Sequence, residues 1–130
     1  MSWSGVKKQT NIENIKAWCE EMYMRNYTIN SQGEIDVDGY VDLAYNDFKE
    51  LPYKFGKVEG FFDVGDNRNL ISLKNCPTYV KNYMRCNHCH NLYSLKGCPQ
   101  EVGWTFYCNG NINIKSLEGC PEEIHGKFDI

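Results

Sequence analysis

The segment "RCNHCHN" places two thiols and two imidazoles within one short stretch of the chain. Thiolate and imidazole are the usual ligands of tetrahedral zinc sites, and a thiol beside an imidazole is also the pair that activates a cysteine nucleophile. Whether these groups can meet depends on the structural element that carries them. The residues are Cys86, His88, Cys89 and His90, and Cys108 follows further along the chain.

Three blocks of sequence nearly repeat one another at a constant interval. They are "SLKNCPTYVKNYMRC" from Ser72, "SLKGCPQEVGWTFYC" from Ser94 and "SLEGCPEEIHGKFDI" from Ser116, and each block can be overlaid on the next. Two further steps of nearly the same length extend the pattern backwards, with a loop insertion in "LPYKFGKV". The shared apolar positions are Val41, Leu43, Phe48 and Leu51; Val58, Phe62, Val64, Leu70 and Leu73; Cys76, Val80, Met84 and Cys86; Cys98, Val102, Phe106 and Cys108; and Cys120, Ile124, Phe128 and Ile130.

A period of this length, with apolar residues in a fixed order, is typical of leucine-rich repeats, in which each unit is a short strand followed by a turn and an irregular return. A single unit cannot bury its own apolar face, so the units must stack. The sequence therefore predicts an α+β fold in one domain, 1–130. Its main part, 39–130, is a short leucine-rich-repeat-like solenoid of parallel strands with four to five rungs.

Several of these motifs together resemble a known group of proteins. "YTINSQGEIDVDGYVDL", "LPYKFGKVEGFFDV" and the "SLxGCPxxVxxxFxC" units, which cover about residues 27–130, are similar to the leucine-rich-repeat-like proteins common in tailed bacteriophages. The resemblance implies a phage origin and a solenoid of few rungs, and it implies no particular activity. The sequence departs from the pattern at Asn75, where glycine is usual, and at Asn82 and Trp104, where other units have glycine.

The repeat also predicts which side chains face the interior. Alternate strand residues point to opposite faces, so we expect Phe62, Met84 and Phe106 to face the core and their neighbours to face outward. The outward row contains aromatic side chains, which are enriched at the energetic centres of protein interfaces. Stacked rings also stabilise parallel ladders by about 0.2–1 kcal/mol per pair, so the row has a purely structural explanation as well. The predicted partner-binding residues are Tyr40, Asp42, Phe61, Asp63, Tyr83, Arg85, Trp104, Tyr107, Lys127 and Asp129.

The solenoid register gives the cysteines structural roles. Cys86 falls in the inward strand position, and Cys89 falls where Asn67 and Asn111 stand in other units. Leucine-rich repeats place Asn or Cys there because the side chain can bind backbone groups of the turn. We therefore predict no metal site, no cofactor and no catalytic residue. A thiol enzyme or a zinc site remains an alternative, and the enzyme would require an exposed thiol with a lowered pKa.

The segment 1–26 has a different pattern. Ile12, Ile15, Trp18, Cys19 and Met22 recur at helical spacing, and Thr10 or Asn11 would cap a helix. We expect this helical cap, 1–26, and a hairpin at 27–38 to cover the first rung, since an uncovered rung exposes an apolar edge. The last rung carries core-type residues with no strand after it, and we expect a second copy of the chain or a target to cover it.

Composition narrows the function. The 130 residues carry a net charge of -3 with interspersed signs, so no basic surface is available for direct binding of nucleic acid or an anionic membrane. No apolar run has the length of a membrane span or the form of a signal peptide, and seven cysteines without such a signal favour reduced thiols. We expect a protein of the bacterial host cytoplasm.

These observations favour a non-enzymatic module that binds a host protein and alters host metabolism or blocks a defence system. One alternative is an acidic mimic that blocks a nucleic-acid-binding protein of the host. A structural role in the virion is another. The carboxylates that motivate the mimic are Asp36, Asp38, Asp42, Asp63 and Asp66.

Overall fold

The computed structural model describes residues 2–130 and contains one helix followed by eleven short strands. The helix α1 spans Trp3–Glu21. The strands are β1 (Tyr27–Ile29), β2 (Ile35–Val37), β3 (Val41–Asp42), β4 (Phe55–Val58), β5 (Phe62–Asp63), β6 (Tyr79–Val80), β7 (Met84–Arg85), β8 (Glu101–Val102), β9 (Phe106–Tyr107), β10 (Glu123–Ile124) and β11 (Phe128–Asp129).

The strands form two sheets that run side by side along a solenoid. Sheet A has the order β1-β2-β4-β6-β8-β10, and sheet B has the order β11-β9-β7-β5-β3. All pairs are parallel except the β1–β2 hairpin, and Tyr79 lies opposite Glu101, its equivalent in the next repeat. The predicted α+β solenoid is confirmed. Each rung contributes two short strands, whereas the pattern of leucine-rich repeats had predicted one.

The core lies between the two sheets and the turns that close each rung. Phe55, Phe62, Met84 and Phe106 are fully buried, and the rings of the first two meet edge to face at 5.2 Å. Cys76, Cys86 and Cys108 are buried in the same interior, as small apolar side chains. The inward positions predicted from the repeat are thus confirmed for the middle rungs.

Two kinds of turn that recur along the solenoid have a left-handed backbone. Asn75, Gly97 and Gly119 occupy equivalent positions with φ of 75°, 92° and 86°, which explains why asparagine replaces glycine in one unit: it tolerates this conformation better than most residues. His88 has φ of 56° in the turn that follows β7, where the next rung has Gly110. Histidine adopts this backbone conformation more often than most residues, so the turn itself can explain why His88 stands there.

The prediction that Thr10 or Asn11 caps α1 is wrong, because the helix already begins at Trp3. Ser2 is the N-cap, and its Oγ accepts a hydrogen bond from the Gly5 amide at 3.1 Å. Residues 3–10 are mostly exposed and carry no apolar stripe, so the sequence pattern missed these two turns. No helix among residues 2–130 has the length and apolar character needed to cross a membrane.

The last rung does not follow the burial of the middle rungs. Ile130 stands at the repeat position of the buried Cys86 and Cys108, but 62% of its surface is exposed, which agrees with the prediction that the last rung presents an apolar edge. The ring centroids of Phe128 and Phe106 lie 5.4 Å apart, and Phe128 is half-buried. Burial at equivalent repeat positions is therefore less complete in the last rung than in the middle rungs.

Candidate functional site on the outer face of sheet B

The outer face of sheet B carries a row of stacked rings, which we call the aromatic ladder. Tyr40, Phe61 and Tyr83 precede β3, β5 and β7, so the strand register aligns them. The rings of Tyr40 and Phe61 lie 4.9 Å apart at 15°, and those of Phe61 and Tyr83 lie 4.8 Å apart at 5°. Adjacent parallel strands have this spacing, so the backbone ladder itself stacks the rings. Tyr107 then meets Tyr83 edge to face at 5.9 Å.

A charged pair lies beside the aromatic ladder. Arg85 Nη1 donates to Asp63 Oδ2 at 3.3 Å, and the other carboxylate oxygen of Asp63 accepts a hydrogen bond from the Gly65 amide at 2.8 Å. Asp63 is only 7% exposed, although it was predicted as part of an outward surface. Its carboxylate therefore serves the internal structure, and Arg85, which is half-buried, is the member of the pair that reaches the surface.

Burial governs the ionisation of this group of residues. Desolvation raises the pKa of Asp63, and the Gly65 amide and Arg85 oppose that rise only in part. Desolvation would lower the pKa of Arg85, but the charge of Asp63, the hydrogen bond to it and the charge of Asp66 together outweigh desolvation and raise that pKa. The pKa of Tyr83 is raised, first by desolvation and then by the charge of Asp63. The phenol of Tyr83 thus stays neutral and can donate a hydrogen bond.

Trp104 is exposed on the turn that leads into β9. It is 61% exposed, as is Tyr40 at the first rung, and within residues 2–130 no ring–ring contact involves it. At the equivalent position of the next rung, a Cβ on Gly126 would lie 2.6 Å from the Trp104 backbone, so the small residue there admits close stacking of the rungs. The ring of Trp104 does not stack on the aromatic ladder, so ladder packing does not explain why an aromatic residue stands at this position.

The structure brings some of the predicted site residues together and separates others. Tyr40, Phe61, Tyr83 and Tyr107 form one continuous aromatic surface with Arg85 beside it. Asp42 is exposed at the first rung, and Lys127 and Asp129 are exposed at the last rung. The surface therefore runs along the whole of sheet B, with its aromatic part in the first four rungs.

The thiols and imidazoles of "RCNHCHN" point into different surroundings. Cys86 and Cys89 are fully buried, whereas His88 and His90 are exposed. Burial raises the pKa of Cys89 to about 11 and raises that of Cys86 as well. A cysteine nucleophile requires an exposed thiol with a lowered pKa. Neither Cys86 nor Cys89 meets this requirement.

Cys89 belongs instead to a row of polar side chains that bind the turns. Asn67 Nδ2 donates to the carbonyls of Leu43 and Val64, each at 2.9 Å, and Asn111 Nδ2 donates to those of Cys86 and Cys108. The Cys89 thiol donates to the Val64 carbonyl at 3.4 Å. The predicted role of this position, binding backbone groups of the turn, is confirmed.

One cluster of ligand-type side chains was missed by the sequence analysis. The ligand atoms of Glu101, Glu123 and His125 lie within 4.8 Å of one another on sheet A, and they are the group within residues 2–130 that converges in this way. His125 Nε2 lies 2.9 Å from a Glu101 oxygen. The side chains are partly exposed and contact one another, so the cluster has a structural explanation as a group of polar contacts at the surface.

The carboxylates that suggested an acidic mimic are partly engaged inside the molecule. Asp36 Oδ1 accepts a hydrogen bond from the Lys57 amide at 2.9 Å, and Asp42 Oδ1 accepts one from the Ala44 amide at 3.1 Å. Asp63 is buried against Arg85. Fewer of these carboxylates are therefore available to bind a partner than the sequence indicated.

The strand β3 leaves one side of its backbone unpaired. The amides of Val41 and Leu43 donate to the carbonyls of Phe61 and Asp63 in the second rung, so the Asp42 amide between them points away from that rung. Within residues 2–130 no strand pairs with this outer side of β3. An open cavity of about 350 Å³, lined by residues 22–26 and 39–43, lies there instead.

Comparisons of this chain with protein-family models, with curated proteins and with solved structures found no match.

Proposed function

We propose that this chain is a non-enzymatic protein-interaction module that docks the outer face of sheet B on a protein partner. The observation that carries the proposal is the continuous row of Tyr40, Phe61, Tyr83 and Tyr107 with the exposed ring of Trp104 beside it. Tyr, Trp and Arg dominate the energetic centres of protein interfaces, and the rings of Tyr and Trp bury a large area at a small cost in side-chain entropy.

Ladder packing explains part of this surface, and its weight can be estimated. Each stacked pair contributes about 0.2–1 kcal/mol to the sheet, which is sufficient reason to place rings at Phe61 and Tyr83. The same reason does not apply to Trp104 or to the outer side of the Tyr40 ring, since neither stacks on a further ring. Binding supplies the missing reason for these two positions.

The partner belongs to a bacterial host in this proposal. The support is the resemblance of the repeat units to leucine-rich-repeat-like proteins of tailed phages, together with the absence of a basic surface in the sequence. In that setting the module acts in the host cytoplasm, and it modulates or inhibits the protein that it binds.

A test needs a partner that is identified and then purified. A photo-crosslinking amino acid at Thr105, the outward position next to Trp104, captures what binds there in a bacterial lysate. Mass spectrometry identifies the captured protein, and the dissociation constant is measured with both purified proteins. We expect the double variant Tyr83→Ala, Trp104→Ala to weaken binding by at least about 30-fold, since the loss of even one hot-spot residue costs about 2 kcal/mol or more.

Tyr93 provides a matched control, because it is an aromatic residue with 64% exposure that lies outside sheet B. The variant Tyr93→Ala should leave the dissociation constant unchanged. Equal binding by wild type, the double variant and the control would reject the outer face of sheet B as the docking surface.

The predicted homodimer through the last rung stays a prediction. Leu117 and Ile130 are 51% and 62% exposed there, which is the kind of surface that a second copy would cover. Sedimentation of wild type and of the variant Ile130→Asp tests it, since a dimer through this rung should dissociate in the variant.

A further inference from the structure

The unpaired side of β3 differs from the other sheet edge at the same end of the molecule. Sheet A is extended there by β1, which pairs with β2 from Tyr27 to Ile29, but β1 does not reach sheet B. The segment 22–26 passes the outer side of β3 without forming a strand, and the cavity separates the two. An edge with free backbone groups is a template for pairing with another extended chain.

We infer that β3 accepts an extended peptide segment of a partner protein as an added parallel strand of sheet B, with an aromatic, an apolar and a basic residue in succession. The inference rests on the proposed function, for which it names the mode of docking and the chemistry of the partner. The stack of rungs itself indicates the three side chains.

The aromatic residue follows from the aromatic ladder. Tyr40 uses one side of its ring to stack on Phe61, and the ring is 61% exposed. A strand added to β3 lies about 4.8 Å away and places its corresponding side chain over the free side of that ring. Phe61 and Tyr83 fill this position with a ring in the two rungs next to Tyr40, whereas Thr105 and Lys127 fill it in the last two.

The apolar residue follows from the cavity. Inward side chains of sheet B are apolar in every rung, from Val41 through Phe62 and Met84 to Phe106. The next inward position would project towards the cavity, whose walls include Met22 and Met24. Methionine adapts its shape to neighbouring apolar groups, so this wall can accept side chains of more than one size.

The basic residue follows from the charge of Asp42. The strand register places Asp42 beside the carboxylate of Asp63, and no salt bridge within residues 2–130 includes Asp42. Asp63 lies beside the carboxylate of Asp42 on one side, but on its other side it forms a salt bridge with Arg85. A cation on the added strand would give Asp42 the equivalent partner.

A second copy of this chain fits the edge less well. In the same parallel register its last strand would place Lys127, Phe128 and Asp129 on Tyr40, Val41 and Asp42. Two carboxylates would then lie side by side, a pairing that destabilises a sheet. The charge therefore favours a peptide with a basic residue at the third position.

The rungs also predict which backbone hydrogen bond forms. In each pair of rungs the amide of the inward residue donates to the carbonyl before the next strand, as Phe62 does to Tyr83 at 3.0 Å and Met84 does to Thr105 at 3.1 Å. The amide of the apolar peptide residue would thus donate to the Tyr40 carbonyl, and the Asp42 amide would donate back to the peptide.

The experiment is a calorimetric titration of the full chain with a synthetic peptide that contains tyrosine, valine and arginine in this order between flexible polar ends. We expect saturable binding, weakened about tenfold by N-methylation of the valine amide, because the methyl group removes a donor and blocks close pairing. Replacement of the arginine by glutamate should weaken binding to a similar extent, since like charges then lie opposite each other.

Variants of the protein complete the test. Asp42→Lys should lose the arginine peptide and bind the glutamate peptide, whereas the control variant Glu122→Lys, at an exposed carboxylate outside both sheets, should behave as wild type. Circular dichroism checks that the variants fold. No saturable binding, insensitivity to N-methylation, or no change of preference in Asp42→Lys would overturn the inference.

Two further outcomes assign the edge or the surface differently. If the wild type self-associates in sedimentation and Asp42→Lys strengthens that association, because the lysine then lies beside Asp129 of the second copy, the occupant is a second copy and the peptide inference fails. If the peptide does not bind while the purified partner still depends on Tyr83 and Trp104, only this inference fails. If the partner ignores those residues as well, the proposed function fails with it.

Discussion

At the amino-terminal end of the solenoid, sheet A continues into the antiparallel strand β1, whereas sheet B stops at β3 with one side of its backbone unpaired. The helix α1 lies against the covered side, where Tyr27 donates a hydrogen bond to Glu20 at 2.6 Å. The same repeat builds both sheets, so the repeat does not decide which edge is covered. The residues before the first rung make that choice, and they protect one edge from further pairing while leaving the other available.

Removal of a ring from the covered side should have the largest effect. Phe55 in β4 is fully buried and meets both Trp18 and Phe62 edge to face. We expect Phe55→Ala to lower the free energy of unfolding by about 3–5 kcal/mol, measured by urea denaturation, because the substitution leaves a cavity. The half-buried Phe128 is the comparison, and Phe128→Ala should cost less than half as much. Equal losses would show that burial does not differ between the two regions as described.

The contact of α1 with the first rung comes next. Trp18 packs edge to face on Phe48, Tyr53 and Phe55 at 5.7–6.1 Å. We expect Trp18→Ala to cost about 2 kcal/mol, less than a fully buried ring, because Trp18 is half-buried. Trp3 lies on the same helix at 80% exposure, and Trp3→Ala should change stability by at most about 0.5 kcal/mol. If the two variants are equally stable, α1 does not act as a cap.

The link between α1 and β1 should give the covered edge a pH dependence. The hydrogen bond to Glu20, with a smaller contribution from burial, raises the pKa of Tyr27 from 10 to about 12. A phenol with a raised pKa favours folding while it is protonated, so its contribution is complete below pH 10 and is lost as the pH rises towards 12. We expect Tyr27→Phe to lower the free energy of unfolding by about 1 kcal/mol at neutral pH. The difference from wild type should vanish between pH 10 and 12, and a difference that persists there would contradict the assignment.

On the uncovered side, loss of a ring should scarcely affect stability. Tyr40 stacks on one ring and is largely exposed, whereas Phe61 stacks on two. We expect Tyr40→Ala to cost about 0.5 kcal/mol in thermal denaturation and Phe61→Ala clearly more, since each stacked pair contributes about 0.2–1 kcal/mol. A large loss for Tyr40→Ala would show that its ring supports the fold and is not held ready for a partner.

Periodicity predicted the parts of this fold that depend on repeat position. The inward residues Phe62, Met84 and Phe106 and the turn-binding positions Asn67, Cys89 and Asn111 follow from the repeat interval alone. The second strand of each rung was not predicted, because strands as short as Tyr79–Val80 do not show an alternation.

The features that periodicity missed depend on contacts between distant residues or on weak local signals. The first turns of α1 have a polar sequence without a stripe, so only the cap at Ser2 marks their start. Asp63 is buried because Arg85, one rung later, lies beside it, and a row of outward positions does not reveal such a pairing. The unpaired side of β3 depends on where the hairpin packs. The aromatic row of the candidate site was predictable, but its open edge was not.

Backbone hydrogen exchange, measured by NMR with and without the tyrosine–valine–arginine peptide, tests the central claim that sheet B begins with an edge open to a partner. The Asp42 amide should exchange rapidly in the free protein, while the Val41 and Leu43 amides, which donate to the second rung, should be protected. On addition of the peptide the Asp42 amide should become protected by about tenfold or more, because it then donates a hydrogen bond. Protection of Asp42 in the free protein, or none after the peptide is added, would contradict the account.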